Sequence, residues 1–289
     1  MANKLAKKYG LRFGASRFVA GDELVDAIKQ VWKLNNQGMA AMLNYLGEFV
    51  QTEEEASGHM EKCLETLDAI DEHRLDCNLT VKPTSLGLGI DPELAHHYLR
   101  IILERAKKYN NFVRIEAEDY ANCQAILNLY KEVRQEYDNV GTVLQAYLYR
   151  SEKDLYDLKK YRANLRLVKG AYNESPEVAF PKKADVDANY EKLIKKHLLH
   201  GNYAGIATHD EKIIRNIIDF TEKNHIATAQ FEFQMLYGIR PELQRELTKK
   251  GYTMRIYVPY GTDWFGYFMR RLAERPENIS FVWNSVFKK

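Results

Sequence analysis

Charged and amide side chains stand at or near the ends of short apolar runs in this chain. Lys82 closes one run, a second carries Glu116 and Glu118, and Gln145 lies in a third. Arg166 and Lys169 flank Leu167-Val168, and His209 follows Ala207-Thr208. Glu232 and Gln234 alternate with Phe and Met, and Arg255 and Tyr257 alternate with Ile. A charge inside a buried strand is costly unless it is paired or functional. So many of them in equivalent positions favour an active site over a ring of structural ion pairs. A second constellation is Tyr267, Arg270, Arg271 and Glu274, which share one helical face. Two adjacent guanidiniums can grip a carboxylate, and Glu274 can hold Arg271 in place. Taken alone, that face reads as a solvated basic surface, since paired arginines are common there. Lys82 and Lys169 permit a different chemistry, attack of a desolvated amine on a carbonyl. His96, His97, His197 and His200 fall on helices and are read as exposed. No HExxH spacing occurs, so no metal centre is expected.

These groups need a scaffold that brings many strand ends together. Apolar runs rich in Val, Ile, Leu, Tyr and Phe occur near 42–47, 78–82, 112–117, 142–148, 165–170, 203–208, 227–235 and 253–258. Amphipathic stretches follow them, near 53–73, 91–109, 119–137, 151–163, 184–200, 209–224, 240–250 and 263–275. Asp91-Pro92 supplies a cap and a first-turn proline, and Gly201 and Gly251 stand where helices should stop. An earlier helix is expected over 21–37, with Asp22 as its N-cap. Alternating strands and helices imply a parallel sheet, and closure into a (β/α)8 barrel is the economical solution. A doubly wound open sheet competes, but Gly87-Leu88-Gly89 is only a fragment of a dinucleotide fingerprint. One domain is expected over 1–289, with a helical extension over 1–40 and the barrel over 41–289.

Composition narrows the function classes. The chain has 289 residues, 42 Lys plus Arg against 40 Asp plus Glu, and a net charge of +2. Without a broad basic field, nucleic acid is not an expected partner. Three separated cysteines form no disulfide framework and suit a reducing, cytoplasmic compartment. The basic start, with Lys4, Lys7 and Lys8, has no apolar core behind it and reads as a solvated terminus, not a secretion signal.

Several motifs together resemble the proline dehydrogenase family. They are VKPTS at 81–85, QAYL at 145–148, RLVKGAY at 166–172, ATHD at 207–210, FEFQMLYG at 231–238, RIYVP at 255–259 and YFMRRLAE at 267–274. Their order and near-regular spacing make the set specific where single motifs would be weak, and the match runs from about residue 40 to the C-terminus. The chain resembles the short monofunctional form. The resemblance implies a distorted (β/α)8 barrel with FAD at the strand C-terminal ends and the last helix over the mouth. It implies oxidation of L-proline to Δ1-pyrroline-5-carboxylate, with electrons passed to a membrane quinone. A separate enzyme would then oxidise the product, and membrane contact would be peripheral.

Carried over by motif, Arg270, Arg271 and Lys82 bind the proline carboxylate, with Glu274 beside them. Tyr257, Leu236, Ala171 and Tyr172 wall the ring. Arg166 and Glu116 are the expected catalytic pair at the flavin edge. Gln145, Lys169, Gly170, Ala171, Lys183, Thr208 and His209 join them in holding FAD. Glu48 resembles a gate that closes the site by pairing with Arg270. Glu116 departs from the family pattern, which has Asp on strand three. Glu118, two residues on, is expected on the same side of that strand. An aldolase-type lysine enzyme and a non-catalytic binding barrel are the competing readings.

Overall fold

Residues 17–274 are described by a computed structural model; the side chains of 270–274, and residues 1–16 and 275–289, lie outside the described residues. Eight parallel strands close into a barrel in chain order. They are β1 (Ala40–Tyr45), β2 (Cys77–Val81), β3 (Val113–Ile115), β4 (Val140–Gln145), β5 (Leu165–Val168), β6 (Ala204–Ala207), β7 (Phe231–Leu236) and β8 (Met254–Tyr260). Helix α1 (Leu24–Asn35) precedes the barrel. It is followed by α2 (Glu53–Glu72), α3 (Pro92–Lys108), α4 (Tyr120–Val133), α5 (Ser151–Leu158), α6 (Lys183–Leu199), α7 (Glu211–Lys223), α8 (Pro241–Lys249) and α9 (Trp264–Glu274). The expected alternation is therefore the observed one, and the open-sheet alternative falls.

The main core lies between barrel and helices. Outward-facing Leu79, Val113, Ile115, Leu165, Leu167, Ile206, Phe233 and Ile256 pack with buried helix residues. Helix α7 shows why the pattern folds this way. Ile213, Ile214, Ile217 and Thr221 recur at helical spacing and are its buried face. Burying each such isoleucine contributes roughly 1.5–3 kcal/mol. Local signals set the ends. Asp91 accepts from the Glu93 backbone N–H, with Pro92 in the first turn of α3. Gly201 and Gly251 take left-handed backbone, φ 74° and 86°, where α6 and α8 stop. Asp22 is not the cap of α1; the helix starts after Glu23 with no side-chain cap bond.

The barrel interior is unusually polar. Strand register aligns Thr80 with Arg114, Arg114 with Gly141, Arg166 with Gly205, and Gly205 with Glu232 on the inward face. Glycines make the room. A Cβ at Gly205 would sit 2.5 Å from Gln234 Nε2, and one at Gly141 would run into the Arg114 guanidinium. Glu232 and Arg255 stand near the starts of the six- and seven-residue strands β7 and β8, and neither lines the cavity at the strand C-terminal ends. Arg255 Nε donates to Glu232 at 2.9 Å, and another Arg255 N–H reaches the Ala41 carbonyl oxygen at 2.9 Å. This corrects the expectation that all the strand charges converge on one mouth. These two form a structural pair on the opposite side.

Candidate active site

The strand C-terminal ends enclose a cavity of about 670 Å³. Of the expected residues it is lined by Lys82, Glu116, Gln145, Arg166, Lys169, Gly170, Ala171, Tyr172, Lys183, Thr208, His209, Leu236 and Tyr257. One wall is built on Arg166, the second residue of β5. Its guanidinium donates to Glu116 at 2.5 Å and lies 4.9 Å from the centre of the Tyr257 ring. Thr80 also donates to Glu116. Strand β3 ends at Ile115, so Glu116 projects just beyond it and not from within it. Tyr257 is buried, and burial, followed by the nearby Glu116 charge, raises its hydroxyl well above the usual phenol range. It is therefore a neutral hydroxyl and an apolar ring face.

Contrary to the expectation, Glu118 does not face the same side as Glu116: Glu116 lines the cavity and Glu118 does not. With β3 over at Ile115, Glu118 turns to the β2 loop and accepts from Thr84 through both the backbone N–H, at 3.0 Å, and the hydroxyl. Gln145 donates to the Glu118 carbonyl at 2.8 Å. Lys82, one residue past β2, pairs with Glu48 from the loop after β1, and both are largely buried. Glu48 thus meets a cation at the mouth, but the cation is Lys82. The side chains of its expected partner Arg270, of Arg271 and of Glu274 lie outside the described residues. The backbone of α9 does place that helix over the mouth. Trp264 and Tyr267 pack with Tyr257 and Leu236, and Tyr267 lines the cavity.

The opposite wall is cationic. Lys169 meets Asp187 at 2.5 Å and Asp210 at 3.3 Å, and Lys183, in the first turn of α6, pairs with Asp187. Against desolvation that acts the other way, these lysines hold Asp187 below the usual carboxylate range, and the Ile213 backbone N–H, followed by the lysines, does the same for Asp210. Asp210 also caps α7, accepting from Lys212 N–H at 3.1 Å. The Leu236 backbone N–H donates to His209 Nε2 at 3.0 Å, so that nitrogen carries no proton in this geometry. Arg240 donates to the His209 carbonyl at 3.0 Å and pairs with Glu211 at 2.9 Å. Asp210, Lys212 and Arg240 also line the cavity, although their residue types alone do not mark them. Asp210 stands inside the ATHD motif, and Tyr267 is on the helical face of Arg271 in the sequence.

These residues fit a dinucleotide. The Arg166 Nε–H is buried without a hydrogen-bond partner. Gly170, at φ 119°, brings backbone so near the Tyr147 ring that no side chain could stand there. Lys169, Lys183, Lys212 and Arg240 offer cations to phosphates along the same cavity.

The family model for proline dehydrogenase matches residues 27–284. The chain belongs to the proline dehydrogenase family. It is 51% identical to proline dehydrogenase 1 of Bacillus subtilis subsp. natto, over 99% of this chain and 95% of that one. It is 41% identical to proline dehydrogenase of Deinococcus radiodurans, over 95% and 90%. Among solved structures, proline utilization A from Bdellovibrio bacteriovorus, inactivated by N-propargylglycine, superposes with a TM-score of 0.87 at 26% identity. That match covers 98% of this chain and 35% of the other. The family consists of FAD-dependent oxidoreductases acting on CH–NH donors. The aldolase reading is not supported.

Proposed function

We propose that this chain oxidises L-proline to Δ1-pyrroline-5-carboxylate and works as one catalytic unit, the barrel with its helical lead-in. The observation that carries the reading is the juxtaposition of Lys82, the Glu116–Arg166 pair and Tyr257 around one cavity. FAD, when bound, supplies the acceptor for the hydride.

The remaining work belongs to side chains of this protein. Lys82, Arg270 and Arg271 bind the substrate carboxylate, which needs partners once it leaves water. Glu48 yields Lys82 to the substrate and closes the site behind it, and Glu274 steadies Arg271. Tyr257, Leu236, Ala171 and Tyr172 wall the ring. Its three methylenes contribute roughly 2 kcal/mol on burial. Held between Glu116 and the Tyr257 face, Arg166 presents fixed positive charge where the electron pair arrives. Gln145, Lys169, Gly170, Lys183, Thr208 and His209 hold the dinucleotide, with the lysines on its phosphates. Orientation against a fixed acceptor makes the transfer unimolecular.

A membrane quinone takes the electrons in this reading, reached peripherally from the cytoplasmic face. Among the described residues no helix is long and apolar enough to cross a membrane. A separate enzyme oxidises the product. The test is a visible spectrum of the purified protein, followed by anaerobic L-proline. Flavin bands that bleach are the expected result. A spectrum that stays featureless after FAD is supplied would overturn the reading.

A further inference from the structure

Glu118 is an acid with no exposed surface, set behind the cavity wall. Neither the expected catalytic pair nor the expected cofactor set uses its side chain. Yet its contacts run to three parts of the mouth. Its carboxylate accepts from both donors of Thr84, which stands in the short 3-10 turn Pro83–Leu86 directly after Lys82. The Thr84 hydroxyl accepts in turn from the Phe49 backbone N–H at 3.3 Å. Phe49 follows Glu48 and has left-handed backbone, φ 56°, so its position depends on such a tie. The Glu118 carbonyl receives Gln145 from β4.

We propose that Glu118 is a positioning residue for substrate binding: through Thr84 it sets the two loops that present Lys82 and Glu48 to the substrate carboxylate. The chain of contacts has a direction. Phe49 N–H donates to the Thr84 oxygen, and Thr84 O–H donates to the Glu118 carboxylate. A carboxylate offers a separate oxygen to each Thr84 donor, whereas an amide in the same place turns a donating NH2 toward one of them. Burial pushes this carboxyl up to about 7, while the Thr84 bonds and Lys82 pull it down and Glu48 pushes it up. The charged groups acting on it are therefore the pair it positions.

Glu118 touches neither substrate nor cofactor in this account, so its effect passes through Thr84. The inference rests on Lys82 receiving the substrate carboxylate. The experiment uses FAD-loaded enzyme and tetrahydro-2-furoate, a proline analogue with oxygen in place of the ring nitrogen. Its binding is followed by the change in flavin absorbance, and steady-state KM and kcat for proline are measured alongside. Glu118→Gln and Thr84→Val should each weaken the analogue and raise KM about tenfold, with kcat within about twofold of wild type. Because both act on one path, the double variant should be no worse than either single. Wild-type analogue affinity in both variants, or losses that add, would overturn the proposal. Should Glu118→Gln fail to fold, Thr84→Val carries the test, since it changes no charge and little volume. Lys82→Met separates the underlying reading: unchanged affinity there removes Lys82 from carboxylate binding. Weakened affinity there with wild-type behaviour in the other two removes only Glu118.

Discussion

Two buried titratable groups pull stability in opposite directions with pH. Glu118 has its carboxyl raised by burial from 4.5 to about 7 in the folded protein. Its folded form binds the proton more tightly, so its contribution is full below pH 4.5 and is lost as pH rises through 7. His197 is buried beside the Tyr203 carbonyl, and desolvation lowers it from 6.5 to about 4. Its contribution is full above pH 6.5 and is lost as pH falls through 4. Each amounts to about 3 kcal/mol across its window, and between pH 4.5 and 6.5 the slopes oppose. Glu118→Gln should therefore unmask the histidine, so that denaturant stability climbs more steeply with pH across that interval than it does in wild type. A variant that climbs no more steeply than wild type would place the opposing titration elsewhere. Its place on a helix away from the strand ends makes His197 look exposed in the sequence, but Leu193, Ile194 and Leu198 carry it to the inner face. His200, one turn on, is exposed as expected. Also at this scale, Arg271→Met should raise KM for proline by about 100-fold or more while flavin stays bound, because a desolvated carboxylate loses a bidentate partner. An unchanged KM in steady-state assays would remove Arg271 from the clamp.

Single elements position more than their own residues. Asp210 starts α7 through its cap bonds to Lys212 and Ile213 and also meets Lys169 at the cavity. Asp210→Ala should cost about 1 kcal/mol in thermal or denaturant unfolding, whereas Asp210→Asn, a good cap without the charge, should cost little. Equal losses would show that the Lys169 contact, not the cap, dominates. The strands and helices were legible because their apolar periods are plain and their punctuation is strong, as at Asp91-Pro92 and Gly251. Strand β3 was less legible. It spans Val113–Ile115 only, and alternation read past its end put Glu116 and Glu118 on one side. Backbone that leaves a strand no longer alternates, and apolar content does not mark where it leaves. In the same way, the motifs place both Lys82 and Glu48 at the mouth, but their pairing with each other depends on two loops whose approach no local pattern records.

Closing the barrel asks the first strand to find the last. Strands β1 and β8 align from Ala40 with Arg255 to Tyr45 with Tyr260. Arg255 stitches this seam by donating to the Ala41 carbonyl while paired with Glu232. Glu232→Gln would leave a buried guanidinium short of its counter-charge, with an expected loss of about 3 kcal/mol or more in denaturant unfolding. A loss near zero would mean that water or Asp76 compensates. At the other end, Phe18 and Val19 join Trp264, Tyr267, Tyr257 and Leu46 in an apolar cluster distinct from the main core, and Phe18 lies 6.2 Å from the Phe268 ring. Two separate clusters allow two separate openings. Amide protons of α9 should exchange through a local event of lower free energy than those of β4 and β5, whose exchange should track global unfolding. Phe18→Ala should speed the first class and leave the second unchanged; acceleration of both classes together would mean that the roof and the barrel melt as one. The roof over the site would then have its own melting equilibrium, adjustable from residues that precede the first strand.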